Sequence, residues 1–214
     1  MNRIVDASLS PDLSPRQFKF TSKQGRNRRT KLLTVTLEAL RSRPPEEIKF
    51  IEICKLANIP RASAYHFFPN IEAIFHGIRL LHAETIIERF EALQEEKLIS
   101  WKEFIERFID VAVEVTKSEP AFPRLIYEYR VTNPEIRTVG RELDAKLSKL
   151  ALKGIQDRFS LPKGENWEQI FGFAFTIADA LLKFAQRNFG DFTPELVQES
   201  KKATIAYLSL YLKN

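Results

Sequence analysis

A short segment in the first third of the chain concentrates side chains that can bind a polyanion and read hydrogen-bonding edges. It supplies a guanidinium, two hydroxyls, an imidazole, an aromatic ring and small side chains. The residues are Arg61, Ala62, Ser63, Ala64, Tyr65, His66 and Phe67. A guanidinium can pair with guanine through two hydrogen bonds, and an alanine or an aromatic edge can meet the methyl group of thymine. The segment is therefore a candidate surface for contacting nucleic acid.

The residues that could support catalysis or bind a metal are sparse. His76 and His82 lie six positions apart, whereas two histidine ligands on one helix face need a spacing of four. Glu72 and His76 have that spacing, but an isolated pair of this kind is usually a surface contact. The sequence contains no P-loop, no GxGxxG and no Gly-x-Ser-x-Gly elbow. We therefore predict a protein that is not an enzyme and that has no metal site and no cofactor.

Helical periodicity positions the candidate segment. Apolar residues recur at spacings of three and four along almost the whole chain, which predicts an all-α fold of about nine helices. A helix over 26–41 ends before Pro44 and is followed by short helices over 49–57 and 60–67. Asn58 tolerates the left-handed conformation of the tight turn between them. Two short helices joined in this way form a helix-turn-helix, whose second helix enters the DNA major groove. A plain helical hairpin is the alternative.

The positive charge of the chain is concentrated at its N-terminal end. The net charge is +5, yet residues 1–80 hold 14 basic and 7 acidic side chains, and residues 81–214 hold 19 and 21. Within the first 31 residues there are 8 basic and 2 acidic side chains. We predict a flexible basic arm over 1–25 that neutralises phosphates. A solvated tail that only aids solubility is the alternative.

Residues 26–80 resemble the N-terminal DNA-binding domain of the tetracycline-repressor (TetR) family of transcriptional regulators. The resemblance rests on the ordered string Ala-x-Ile-x-x-x-Ser-x-Tyr-x-x-Phe-x-Asn-x-Glu, which runs from Ala57 to Glu72. It implies a three-helix helix-turn-helix domain over 26–72 and a larger helical body over 73–214, in which such regulators bind an effector and dimerise.

The resemblance also assigns roles to single residues. Ser63 and Tyr65 match phosphate-binding residues, and the positions of Arg61, Ala62 and Phe67 face bases or groove walls. The full predicted DNA-binding set is Arg28, Arg29, Lys49, Arg61, Ala62, Ser63, Tyr65, His66 and Phe67. In one departure, Ile71 stands where a phosphate-gripping lysine is common, and the basic arm is expected to compensate for that missing contact.

The two last predicted helices form a candidate dimer interface. The helix over 165–187 is apolar nearly all round, and such a helix must be buried on every side. We predict that it and the final helix pack against a second copy as a four-helix bundle. The residues are Phe173, Ile177, Leu181, Phe184, Tyr207, Leu208 and Tyr211. The alternative is that these helices only close the core of the monomer.

The resemblance implies a small effector bound inside the body. Aromatic side chains could line an apolar cavity there, although aromatic residues at helical spacing also build ordinary cores. The candidates are Phe108, Phe122, Tyr127, Tyr129, Phe171 and Phe175. Few polar groups lie among them, so an apolar or amphipathic effector is predicted.

Together these features predict a transcriptional repressor that binds a palindromic double-stranded DNA operator as a homodimer and is released by its effector. A helical protein-binding adaptor and an all-α enzyme are the alternatives. The single cysteine, Cys54, cannot form an internal disulfide and is expected to be structural. No apolar run approaches the roughly 18 residues of a membrane span, and no secretory apolar region follows Met1. A cytoplasmic protein without membrane contact is expected.

Overall fold

The computed structural model describes residues 23–93, 95–132 and 134–213, apart from the side chains at positions 135, 136 and 139. Nine α-helices and no strand are present in this part of the chain, which confirms the predicted all-α fold. The helices are α1 (Lys23–Ser42), α2 (Phe50–Leu56), α3 (Arg61–Tyr65), α4 (Ile71–Leu93), α5 (Trp101–Lys117), α6 (Ala121–Pro123), α7 (Pro134–Gln156), α8 (Trp167–Phe189) and α9 (Pro194–Leu208). The predicted basic arm lies outside the described residues up to position 22, and its last three residues belong to α1.

Polar side chains cap the starts of α4 and α5. The Asn70 side-chain oxygen accepts a hydrogen bond from the Ala73 amide at 2.9 Å, ahead of α4. Ser100 caps α5 by accepting from the Glu103 amide at 3.2 Å, and the Glu103 carboxylate accepts from the Ile99 amide at 2.8 Å. These bonds satisfy amides that have no partner inside the helix. Helix α8 ends at Gly190, whose φ of 72° is a left-handed conformation that suits glycine.

Contacts divide the chain into two compact units. The head unit extends to Thr85 and includes Thr116–Val131, whereas the body unit consists of Ile86–Val115 and Thr132–Asn214. The head unit therefore contains α1, α2, α3, α6 and most of α4, and a π-helical turn over Arg124–Glu128 follows α6.

The core of the head unit forms where the apolar stripe of α1 meets the next three helices. The side chains of Leu32, Ile53, Phe68 and Ile74 are at most 1% exposed. Gly77 on α4 allows a close approach, because a Cβ atom there would lie 3.0 Å from Leu33 Cδ2 and 3.4 Å from Phe68 Cε1. This packing holds Phe68, which follows the end of α3, against α4.

The body unit is built around α8, which packs along both α7 and α9. Phe104, Ile155, Ala185 and Leu208 are fully buried in it. The Ser200 hydroxyl on α9 donates to the Ala178 carbonyl on α8 at 3.2 Å. In the described part of the chain, no helix is both long and apolar enough to cross a membrane.

Candidate nucleic-acid interface

The predicted helix-turn-helix is present in the backbone. Helices α2 and α3 are joined by the four residues 57–60, within which Asn58 has a left-handed φ of 50°. The Ile59 amide donates to the Cys54 carbonyl at 3.0 Å and closes the turn. Pro60 is the N-cap of α3, and it provides no side-chain hydrogen bond. The turn thus depends on backbone hydrogen bonds and on a residue type that tolerates positive φ.

Helix α3 directs one face into the core and presents the other to solvent. Ala64 is fully buried, whereas Arg61, Ala62 and His66 are exposed and Tyr65 is 42% exposed. The exposed face therefore combines a guanidinium, an imidazole and a phenol around a small residue that lets a partner approach closely. Side chains of these types can donate hydrogen bonds to phosphate oxygens and to base edges. We call Arg61, Ala62, Tyr65 and His66 the reading face.

Neighbouring side chains contact two residues of α3, Ser63 at its hydroxyl group and Tyr65 at its ring. The Arg28 guanidinium on α1 donates to the Ser63 hydroxyl over 3.2 Å. The Phe50 ring stacks on Tyr65 with centroids 4.9 Å apart and an interplanar angle of 30°. Phe50 is not among the residues predicted to contribute to this surface. Its place beneath Tyr65 depends on how α2 and α3 cross, which local periodicity does not specify.

The structure corrects the predicted exposure of Phe67, which is only 5% exposed. The amides of Phe67 and Phe68 both donate to the Ala64 carbonyl, at 2.9 and 3.0 Å. This tight turn follows the end of α3 and carries the Phe67 ring into the core. Phe67 is therefore not available as the groove-wall contact that the sequence predicted.

Arg29 is likewise buried, at 8% exposure. The structure therefore corrects the prediction that its side chain contacts DNA. Its position on α1 precedes Leu32, Leu33 and Thr36 by three, four and seven residues, which places it on the core face of the helix. Burial lowers the pKa of its guanidinium. Arg28 occupies the partly exposed position beside it.

Several basic side chains of the head unit are exposed, and Lys49 at the start of α2 is one of the predicted contacts among them. The others near the helix-turn-helix in sequence are Lys23, Arg26, Lys31 and Lys55. Cys54 is 3% exposed, and burial raises the pKa of its thiol. Since the thiolate is the reactive form, this environment favours the structural role predicted for Cys54.

The six aromatic residues predicted to line an effector pocket are divided equally between the two units. Phe122, Tyr127 and Tyr129 belong to the head unit, and Phe108, Phe171 and Phe175 belong to the body unit. Most are occupied by core packing: the Phe122 ring meets His82 edge-on at 4.7 Å, and the Phe108 ring stacks on Phe90 at 3.6 Å. Phe175 differs, because it lines a groove of about 540 Å³ between α7 and α8.

The predicted dimer residues divide into an exposed stripe and one core residue. Phe173 and Phe184 are 51% and 50% exposed, and the half-buried Ile177 and Leu181 lie between them on α8. Tyr207 and Tyr211 are half-buried, with ring centroids 5.7 Å apart. Leu208 is fully buried, so the structure corrects its predicted role at an interface. It continues the core face of α9 formed by Val197, Lys201 and Thr204.

His76 and His82 are core residues of the head unit. His82 Nε2 lies 3.0 Å from the Thr116 hydroxyl oxygen, and His76 is 6% exposed. Burial lowers the pKa of His76 to about 4 and that of His82 to about 3. Among the described residues, no three His, Cys, Asp or Glu side chains cluster in a way that could hold a metal ion.

A family model of known proteins matches the C-terminal half of the chain. Residues 99–212 match the family model described as "Tetracyclin repressor-like, C-terminal domain". No curated protein matches the sequence.

Solved structures show the same fold over most of the chain. A TetR-family transcriptional regulator from Streptomyces coelicolor is 20% identical, with a TM-score of 0.67 over 86% of this chain and 99% of that one. SmeT, the repressor of the Stenotrophomonas maltophilia multidrug efflux pump SmeDEF, is 16% identical, with a TM-score of 0.64 over 87% and 91%. The fatty acid degradation regulator FadR from Bacillus halodurans is 12% identical, with a TM-score of 0.64 over 85% and 94%.

Proposed function

We propose that this chain, which belongs to the TetR family of transcriptional regulators, represses transcription by binding a palindromic DNA operator as a homodimer. In this proposal a small apolar or amphipathic effector releases the operator. The observation that carries the proposal is the reading face of α3, where polar side chains stand exposed on the second helix of a helix-turn-helix.

The chemistry of the head unit supports DNA as the partner. Arg61 and His66 carry donors for the edges of bases, and we assign phosphate contacts to Ser63, Tyr65 and Lys49. The charge of residues 1–80 adds a sequence-independent attraction to DNA. Because its partner is DNA, we place the protein in the cytoplasm.

The stripe on α8 supports the homodimer. Phe173, Ile177, Leu181 and Phe184 follow one another at spacings of four, four and three, which places them on one helix face. Two phenylalanines that are half exposed on one stripe gain free energy when a second copy covers them. A two-fold dimer also supplies two reading faces, and two faces require a palindromic site.

The groove between α7 and α8 supports an amphipathic effector. Its volume of about 540 Å³ is within the range of small-molecule sites. Phe175 offers an apolar wall, and Ser148, Asn166 and Gln169 offer hydrogen-bonding groups. An effector with an apolar part and a polar end would satisfy both kinds of lining. A screen that returns only small, highly charged ligands would contradict this part of the proposal.

Selection from a pool of random duplexes tests the proposed function. The full-length protein is incubated with the pool near physiological salt, and the bound duplexes are amplified and sequenced over several rounds. We expect an enriched palindrome with half-sites about one helical turn apart. Enrichment of a single half-site would contradict the dimer. Absence of enrichment would contradict the regulator and favour the adaptor.

A further inference from the structure

Arg61 and Tyr65 are tied together on the surface of α3. The Arg61 Nη2 and Nε atoms both donate to the Tyr65 hydroxyl oxygen, at 2.6 and 3.0 Å. The guanidinium carbon lies 5.2 Å from the centroid of the Tyr65 ring. The two residues are one helical turn apart, a spacing that brings side chains into contact. The Arg61 side chain is therefore held along the helix.

The Tyr65 ring is itself supported from the other helix of the motif. Phe50 on α2 stacks on it at 4.9 Å, and Phe50 is half-buried at the start of that helix. An arginine, a tyrosine and a phenylalanine thus contact one another in series, from the reading face towards α2. We call Phe50, Tyr65 and Arg61 the stacked triad.

The hydrogen bonds leave one edge of the guanidinium open. Arginine has five N–H donors, and the bonds to Tyr65 take one from Nε and one from Nη2. The two N–H groups of Nη1 and the second one of Nη2 remain. Together they form the outer edge of the fork, which can pair with O6 and N7 of guanine in a bidentate contact. The phenol hydrogen of Tyr65 remains available to a phosphate oxygen.

We propose that Tyr65 is a positioning residue for base readout, which holds Arg61 ready to pair with guanine through the outer edge of its guanidinium. This inference rests on the proposed function and extends it from operator binding to the source of operator sequence preference. Fixing a flexible arginine before binding reduces the ordering that complex formation requires. Tyr65 then contributes to sequence preference as well as to phosphate contact.

The two roles of Tyr65 make different predictions for Tyr65→Phe. A residue that only contacts phosphate weakens binding about equally on every sequence when it is changed. A positioning residue lowers preference at the base read by Arg61. The substitution preserves the ring that Phe50 stacks on and removes only the hydroxyl group, so it tests the hydrogen bonds directly.

The experiment repeats the random-duplex selection with full-length wild type, Tyr65→Phe, Arg61→Ala and Lys49→Gln. Lys49 is the exposed N-cap residue of α2 and lies outside the triad, which makes it the matched control for a lost phosphate contact. We expect Arg61→Ala to lose a guanine preference of about 5- to 150-fold. We expect Tyr65→Phe to lose about tenfold preference at the same guanine. Lys49→Gln should bind more weakly while it retains the wild-type motif.

A second variant protects the test against simple loss of structure. Phe50→Leu removes the stacking partner and leaves both Arg61 and the Tyr65 hydroxyl in place, so we expect a smaller loss at the same guanine. Circular dichroism of every variant verifies its helical content. If Tyr65→Phe weakens binding uniformly and retains the guanine preference, the inference is wrong although the proposed function stands. If the wild type enriches no motif, the proposed function fails first.

Discussion

The head unit and the body unit bury different kinds of polar group. In the described part of the head unit, the arginine, histidine and glutamate side chains at 8% exposure or less are Arg29, His76, His82 and Glu119. In the described part of the body unit, Lys201 is the one ionisable residue among the buried polar side chains, and it pairs with Asp110 at 2.6 Å. Buried ionisable groups make stability depend on pH and on specific partners. We therefore expect acid and single-charge substitutions to affect the head unit more.

The exposed faces of the units differ as well. On α3 the outward side chains are a guanidinium, an imidazole and a phenol, whereas the stripe on α8 is entirely apolar. The first suits a charged partner whose contacts salt can screen, and the second suits a partner that is covered permanently. Substitutions on α3 should consequently weaken DNA binding, whereas substitutions in the stripe on α8 should weaken self-association.

The largest expected effect is on assembly through the body unit. Leu181→Glu inserts a charge into the apolar stripe of α8, and burying that charge without a partner costs about 3–5 kcal/mol. The proposed dimer should dissociate at micromolar concentration, as measured by sedimentation equilibrium. Ile99→Glu is the control, because Ile99 is 90% exposed and lies outside the stripe. A Leu181→Glu protein that stays dimeric would contradict the assigned interface.

Acid should destabilise the head unit through its buried histidines. Burial lowers the pKa values of His76 and His82 to about 4 and about 3, from 6.5. The unfolded state then binds more protons below pH 6.5, so the stabilising contribution is present above that pH and declines as pH falls towards the folded values. Through each histidine, the free energy of unfolding should fall by about 2 kcal/mol between pH 7 and pH 5.

The two tryptophans allow the units to be observed separately, since Trp101 and Trp167 both belong to the body unit. During urea unfolding at pH 5, helical circular dichroism should begin to fall before tryptophan fluorescence changes. The variant His76→Gln/His82→Gln serves as the control, and its stability should depend less on pH. The expectation is contradicted if the circular dichroism and fluorescence transitions of the wild type coincide and the stability of the variant depends on pH as that of the wild type does. These histidines would then not make the head unit more sensitive to acid than the body unit.

A smaller effect is expected from the ion pair between α1 and the segment before α6. Arg41 Nη2 and Nε donate to Glu119 at 2.7 and 3.0 Å, and the Glu119 side chain is only 4% exposed. Arg41→Ala leaves that carboxylate without its main cation, so we expect a loss of about 1–3 kcal/mol in unfolding free energy. Arg89→Ala breaks an ion pair with Glu114 in which both side chains are about half exposed, and it should cost less than about 1 kcal/mol. Equal losses in urea titrations would remove this distinction between the units.

The smallest expected effect concerns the N-terminal arm. Deleting residues 1–22, or replacing Arg3, Arg16 and Lys19 by glutamine, should weaken binding to duplex DNA. The slope of log affinity against log salt should fall by about one unit for each lost phosphate contact. Fluorescence anisotropy between low and physiological salt gives the slope. If both variants retain the wild-type slope, the arm does not replace the phosphate contact that is missing at Ile71.

The fold and the position of the reading face could be predicted from the sequence because both follow from local rules. Asn58 acts through its own backbone neighbourhood, and the observed turn matches the expectation. Exposure within α3 was harder to predict. Phe67 follows the end of the helix, and there the helical period no longer determines the direction of a side chain.

Tertiary contacts between helices decided the remaining residues. Arg29 lies on the buried face of α1, although its charge and its position near the N-terminus favoured a DNA contact. Leu208 joins the core face of α9, while its neighbour Tyr207 stays partly exposed. The support of Tyr65 by Phe50 requires the crossing of two helices, which periodicity within either helix does not define.

The proposal that the exposed turn of α3 reads the operator is tested by the binding of wild type and Arg61→Ala to two duplexes. One duplex carries the selected palindrome, and the other has the same composition in scrambled order. We expect the wild type to prefer the palindrome by about 10³-fold or more and Arg61→Ala to lose about 5- to 150-fold of that preference. If Arg61→Ala discriminates between the duplexes as well as the wild type does, the exposed turn of α3 does not read the operator.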